Sequence, residues 1–89
     1  MIMYYIQDYL DLNDRFKAIK VGITRGMARD TLINICNENN LNELETNILL
    51  YFYCERRTLL YIANKIHYSY DYTAELKSNI IKRINKKSD

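Results

Sequence analysis

The feature that most limits the possible folds is the near absence of residues that break helices. The 89-residue chain contains no proline and only two glycines, Gly22 and Gly26. Turn-rich β folds normally draw on both residue types, so their scarcity favours helices. A chain of this length forms one domain, and with 48% hydrophobic residues it can build a core without a metal or disulfides. The sequence therefore predicts a single all-α domain, residues 1–89.

Apolar residues at helical spacing divide the chain into about five helices. The predicted helices cover roughly residues 2–20, 27–36, 42–55, 59–66 and 69–86. The two glycines mark the first break, and the asparagine-rich residues 37–40 mark the second. Asn42 with Glu45 predicts a capping box at the start of the third helix. Thr58 and Ser69 are good N-caps for the fourth and fifth helices.

Each predicted helix carries an apolar stripe that we expect to be buried. The stripes are Tyr5, Tyr9, Leu12, Phe16, Ile19 and Ile23; Met27, Leu32, Ile35 and Cys36; Leu44, Ile48, Leu49, Tyr51, Phe52 and Tyr53; Leu60, Ala63 and Ile66; and Tyr72, Leu76, Ile80 and Ile84. The charged residues between the members of the first stripe are expected to face solvent: Asp8, Asp11, Asp14, Arg15 and Lys17.

The first stripe, residues 5–23, repeats with a period near 3.5, which fits two interpretations. It can pack on its own domain, or it can form a seam between two copies of the chain. A small domain buries only part of its apolar surface. We therefore predict self-association through this stripe, while packing within the domain remains the alternative.

The polar residues do not form a pattern typical of an enzyme or a metal site. Cys36 and Cys54 are not a CxxC pair, and His67 is the only histidine, so no metal or other cofactor is expected. We predict that both cysteines are free thiols in a reducing compartment. No Ser-His, Cys-His or paired-carboxylate arrangement occurs at a useful spacing, so the chain is not expected to be an enzyme.

The N-terminus does not have the pattern of a secretion signal, which is a basic segment followed by an apolar run. The longest apolar stretch, residues 48–54, is far too short to cross a bilayer. We therefore expect a bacterial cytoplasmic protein that does not bind membranes.

Two short helices joined by a tight turn dominate the C-terminal half. Helix 59–66 is followed by His67 and Tyr68, and Ser69 then caps the last helix. Ala63 is the small residue that a close crossing of two helices requires. This order predicts a helix-turn-helix within residues 41–87, with a second helix that can enter a major groove.

The same stretch resembles region four of sigma factors and the sigma-like regulators of phages and mobile elements. The resemblance covers residues 44–84, about half of the chain, and is carried by residues 59–66, by residues 68–73 and by the basic and apolar tail 76–84. The sequence departs from the family where His67 replaces a frequent glycine and where Asp71 and Glu75 add negative charge to the recognition helix. Residues 1–40 show no such resemblance and are interpreted as a helical extension that contacts a partner or a second copy.

The resemblance implies a DNA-binding transcription regulator whose last helix reads bases with its first turns. The implied base-reading positions are Tyr70, Asp71, Ala74 and Glu75. Six further residues are candidates for contacts to the DNA backbone: Arg56, Arg57, Ser69, Lys77, Lys82 and Arg83. Residues 46–89 carry a net charge of +4 and residues 1–45 carry −2, which permits a polyanionic partner for the second half.

A second interpretation stays open at this point. The net charge of the whole chain is only +2, and acidic residues on a recognition helix repel phosphates. The helical module could instead dock on RNA polymerase or on another regulator and modulate it.

Overall fold

The fold of the chain is all-α. A computed structural model describes residues 14–88 and the side chains of residues 14–86. The helices are α1 (14–20), α2 (Arg29–Glu38), α3 (Glu43–Leu49), α4 (Leu59–Ile66) and α5 (Tyr70–Ser88). No strand occurs within residues 14–88, so the predicted fold class is confirmed. The part of the first predicted helix that precedes residue 14 lies outside the described residues.

The predicted caps form as expected. Asn42 accepts a hydrogen bond from the Glu45 amide at 2.8 Å, and the Glu45 carboxylate accepts one from the Asn42 amide at 3.0 Å. Together they satisfy two amide donors that the start of a helix otherwise leaves without partners. At the end of α2, Asn39 donates its side-chain amide to the Ile35 carbonyl at 2.8 Å, and Asn40 takes a left-handed conformation with φ 57°. The asparagine cluster therefore ends α2 as predicted.

The α1–α2 connection is a loop that depends on its two glycines. Gly22 and Gly26 have φ of 83° and 88°, values that residues other than glycine rarely adopt. The Gly26 amide donates to the Tyr53 carbonyl at 2.6 Å, and a Cβ at Gly26 would collide with the guanidinium of Arg56. Gly26 thus attaches this loop to the segment that leads into α4.

Helix α3 continues into a π-helical turn, Leu50–Cys54. This turn buries two consecutive aromatic residues, Phe52 and Tyr53, whose rings meet edge to face with centroids 4.9 Å apart. The wider π turn changes the direction of the side chains relative to a regular α-helix. The core is then completed by residues from all five helices and the first loop: Ala18, Ile23, Leu32, Cys36, Ile48, Leu49, Leu50, Ile62, Ala63, Ile80, Ile81 and Ile84.

In α1, the interpretation that the first stripe packs within its own domain is wrong for two of its described residues. Phe16 and Ile19 are 63% and 52% exposed, whereas Ile23 of the same stripe is buried. Asp14, which was expected to face solvent, is buried together with Ala18. The reason is that Asp14 has a buried cationic partner, Lys77, so that α1 turns Asp14 and the small Ala18 inward.

Two further stripe residues are also exposed. Leu60 in α4 is 58% exposed, and its place in the core is taken by Ile62. Tyr72 in α5 is 46% exposed, whereas Thr73 is buried because its hydroxyl donates to the Ser69 carbonyl at 2.8 Å. At the start of α5, the buried face is therefore shifted by about one residue relative to the predicted face.

Both cysteines are free thiols, as predicted. Cys36 is buried and Cys54 is half-buried, and in each case burial is the main cause that raises the pKa of the thiol. Among the described residues, no helix has the length and apolar character needed to cross a membrane.

Candidate nucleic-acid interface

Helix α4 begins and ends with well-defined caps. The Thr58 hydroxyl accepts a hydrogen bond from the Tyr61 amide at 3.1 Å, as its position predicted. At the other end His67 is left-handed, with φ 63° and ψ 38°, and the Tyr68 amide donates to the Ala63 carbonyl at 3.1 Å. His67 therefore ends the helix in the conformation that a glycine adopts most readily, at a cost in backbone energy.

Ser69 starts α5 as predicted. Its hydroxyl accepts a hydrogen bond from the Tyr72 amide at 3.2 Å. The turn between α4 and α5 is consequently short, since only His67, Tyr68 and Ser69 separate Ile66 from Tyr70. Its conformation is determined by these backbone and hydroxyl contacts.

The four implied base-reading residues lie on the first two turns of α5. Tyr70 is 39% exposed, and Asp71 and Glu75 are also exposed. Ala74 is half-buried, so it can offer little more than its methyl group. The first turns of α5 thus expose two carboxylates and a phenol.

Five of the six candidates for phosphate contacts are exposed, namely Arg56, Arg57, Ser69, Lys82 and Arg83. Arg83 forms an ion pair with Glu45 across the α3–α5 interface, and this carboxylate competes with any phosphate for its guanidinium. Lys82 is the exposed neighbour of Arg83 and has no ion pair with a residue of the described range. The same holds for Arg56, whereas Arg57 is paired with Glu55 at 3.6 Å.

The prediction that Lys77, the sixth candidate, contacts phosphate groups is wrong. Its side chain is only 2% exposed. Its ammonium lies 3.3 Å from a carboxylate oxygen of Asp14 and 4.1 Å from the centre of the Phe52 ring. A buried lysine held in this way cannot contact phosphate groups without leaving the core. Its position on the buried face of α5 was not recognised because a lysine is rarely buried unless it is paired.

Arg25 is a positioning residue that the sequence did not single out. Its Nε donates to the Phe52 carbonyl at 3.2 Å and its Nη2 donates to the Arg57 carbonyl at 3.1 Å. The guanidinium also lies 4.2 Å from the centre of the Phe52 ring. Arg25 thereby fixes the connector between the π turn and α4, which carries two of the exposed cations. Its partners are 27 and 32 residues away, so no local pattern could have identified it.

Exposed aromatic rings accompany the cations on this part of the molecule. The guanidinium of Arg57 and the ammonium of Lys65 lie 4.6 and 5.7 Å from the centre of the Tyr61 ring. The rings of Tyr68 and Tyr72 lie 5.0 Å apart and are 47% and 46% exposed. Exposed rings together with cations are typical of proteins that bind single-stranded nucleic acids, whose bases stack on such rings.

Residues 14–86 hold no group of three or more potential metal ligands. Neither family models, curated proteins nor solved structures are significantly similar to this chain. Its function must therefore be inferred from its own residues.

Proposed function

We propose that this chain is a helix-turn-helix DNA-binding transcription regulator of the sigma region four-like type, as in phages and mobile elements. The observation that carries the proposal is the pair α4 and α5. A three-residue turn joins them, and the capped start of α5 exposes Tyr70, Asp71 and Glu75. A recognition helix contacts base edges with residues of its first turns. The proposed location is the bacterial cytoplasm.

The distribution of charge supports duplex DNA as the partner. Residues 46–89 carry a net charge of +4, and Lys77 is the one cation in residues 46–86 that is buried. Exposed cations on the connector and on the later turns of α5 are proposed to contact phosphates: Arg56, Arg57, Lys82 and Arg83. Such contacts determine the position of a protein on the duplex, whereas contacts to base edges select the sequence.

A specific observation also favours a second function, docking on RNA polymerase or on another regulator. Asp71 and Glu75 place two carboxylates where DNA would approach, and Glu45 occupies the guanidinium of Arg83. Carboxylates near a phosphate backbone are repelled, although a carboxylate can accept a hydrogen bond from a cytosine amino group. A protein partner with basic residues would suit the same surface.

One experiment separates the two functions. Fluorescence anisotropy measures binding to a pool of random duplexes between about 50 and 200 mM salt, where counterion release changes the affinity most visibly. We expect binding that weakens steeply with salt and that decreases in Lys82→Ala but not in Lys20→Ala, a matched exposed lysine of α1. A pull-down with purified RNA polymerase runs beside it. Retention of polymerase without any binding of DNA would replace the proposed function with the second one.

A further inference from the structure

Three exposed tyrosines lie in the turn between α4 and α5 and on the first turn of α5. Tyr68 is 47%, Tyr70 39% and Tyr72 46% exposed. The rings of Tyr68 and Tyr72, here called the tyrosine pair, lie 5.0 Å apart at an angle of 58°. They contact each other, and about half of each residue still faces solvent. Clustered exposed rings, unlike a single exposed apolar residue, indicate a binding surface.

Backbone contacts hold the tyrosine pair at the surface. The Tyr68 amide donates to the Ala63 carbonyl at 3.1 Å, which fixes residue 68 against the last turn of α4. The Tyr72 amide donates to the Ser69 hydroxyl at 3.2 Å, which fixes residue 72 in the first turn of α5. Neither Tyr68 nor Tyr72 is among the described residues that form the hydrophobic core or pack against it. Both rings are therefore positioned in advance for a flat ligand and are not required to fill the interior.

Groups of both charges flank the tyrosine pair. Lys65 is exposed in the last turn of α4, three positions before Tyr68. Glu75 is exposed on α5, three positions after Tyr72. Residues three apart on a helix are neighbours at its surface, so Glu75 and Tyr72 occupy adjacent positions. A ligand that combines a flat apolar part with an anionic group and a hydrogen-bond donor would complement these residues.

We propose that the tyrosine pair binds unpaired bases of single-stranded DNA. Bases stack on aromatic side chains whatever their sequence, because every base has a flat face. A duplex covers these faces with neighbouring base pairs, whereas an unpaired strand exposes them. A flexible single strand can also turn its phosphates toward Lys65 and away from Glu75. The amino group of an unpaired cytosine is then a suitable donor for the Glu75 carboxylate.

This site deepens the proposed function, on which the choice of DNA rests, because it adds unpaired bases to the ligands of the same α4–α5 pair. The probe is a labelled oligodeoxycytidine of about ten nucleotides, a length within the site sizes of single-strand-binding domains. Fluorescence anisotropy with the full chain measures its binding at neutral pH. We expect saturable binding that is no weaker than the binding of oligoribocytidine of the same length. Tighter binding of the RNA would overturn the choice of DNA.

Substitutions in the tyrosine pair separate stacking from a structural role. Tyr68→Leu and Tyr72→Leu keep an apolar side chain but remove the flat ring, so each should weaken binding about fivefold or more. Tyr68→Phe and Tyr72→Phe keep the ring and should bind as the wild type does. Phe16→Leu removes an exposed ring of α1 and is the matched control, which should also bind as the wild type does. Circular dichroism shows whether each variant remains folded.

The outcomes also distinguish this site from the proposed function. Absence of saturable binding to oligodeoxycytidine, unchanged binding in both leucine variants, or equal losses in the leucine and phenylalanine variants would overturn the stacking site. Binding of the single strand without binding of the random duplex pool would remove the proposed function and leave the stacking site in place. Binding of the duplex pool alone would do the reverse.

Discussion

The ammonium of Lys77 lies 3.3 Å from a carboxylate oxygen of Asp14, and neither side chain is more than 4% exposed. The Ser78 hydroxyl donates to the other oxygen of the same carboxylate at 3.0 Å. A second attachment follows two turns later, where the Asn85 side chain donates to the Lys17 carbonyl at 2.8 Å. Helix α1 is therefore held on α5 by polar contacts within the core, although two of its large apolar residues face outward.

Removal of one partner of this ion pair should be costly. In Lys77→Met the Asp14 carboxylate stays buried without its cation, and the free energy of unfolding should fall by about 3–5 kcal/mol. The double variant Asp14→Leu with Lys77→Met should regain most of that loss, because no buried charge remains. Urea denaturation followed by circular dichroism measures both. A loss below about 1 kcal/mol in the single variant would show that the pair opens to water in solution.

The features that the sequence predicted correctly are local ones. The capping box of Asn42 and Glu45 and the caps of Thr58 and Ser69 each join residues three positions apart, so the sequence spacing nearly determines them. The breaks between helices at the glycines and asparagines are also local, because they depend on the residue types at those positions. Element type and order were therefore predictable from the chain alone.

The features that were missed depend on contacts between distant residues. Asp14 and Lys77 are 63 positions apart, and nothing near either residue indicates that it has a buried partner. A charged residue without a known partner is expected to be solvated. This expectation put Asp14 on the wrong face of α1 and Lys77 among the predicted phosphate contacts. Tyr72 was assigned to the core by its apolar spacing, because the packing of Thr73 through the Ser69 carbonyl could not be foreseen.

The left-handed residue at the end of α4 predicts a stabilising substitution. His67 has φ 63°, a value at which the backbone of any residue other than glycine is strained. We expect His67→Gly to raise the free energy of unfolding by about 0.5–1 kcal/mol, measured from the midpoint of urea denaturation. Asn64→Gly, at an exposed position inside α4, is the control and should lower stability by a similar amount. Equal destabilisation by both changes would contradict the conformation of His67.

Buried thiols predict a loss of stability at alkaline pH. Burial raises the pKa of the Cys36 thiol in the folded chain. As the pH rises, the unfolded chain therefore loses the thiol proton before the folded chain does. The free energy of unfolding then falls as the pH rises above the ordinary thiol pKa of about 8.5. Below that pH the contribution is fully present. The free energy of unfolding should therefore decrease more between pH 7 and pH 9.5 (roughly the thiol range) in the wild type than in Cys36→Ala. Identical pH profiles would show that the thiol is solvated.

The exposed apolar side chains of α1 predict self-association. Phe16 is 63% and Ile19 is 52% exposed, and they lie one turn apart on the same face. Sedimentation velocity at increasing protein concentration should show dimers in the wild type and fewer in Phe16→Ser, whereas Lys20→Ser behaves as the wild type does. A strict monomer at high concentration would remove the idea that residues 5–23 form a seam between two copies.

The start of α5 predicts a separation between sequence preference and general affinity for DNA. Glu75 is exposed on the second turn of α5, where it can accept a hydrogen bond from a cytosine amino group. Glu75→Ala should change which duplex is preferred, by roughly 1–3 kcal/mol for the base that it reads. Lys82→Ala should instead weaken binding to all duplexes alike and reduce the slope of log affinity against log salt by about one.

Selection from a random duplex library measures the first effect, and a salt titration measures the second. The Arg83→Ala variant gives an internal comparison, because Glu45 already occupies its guanidinium and its effect on the salt slope should be smaller than that of Lys82. An unchanged sequence preference in Glu75→Ala, together with an unchanged salt slope in Lys82→Ala, would mean that α5 does not read DNA. The exposed carboxylates of α5 would then be better explained as contacts to a basic surface of a protein partner.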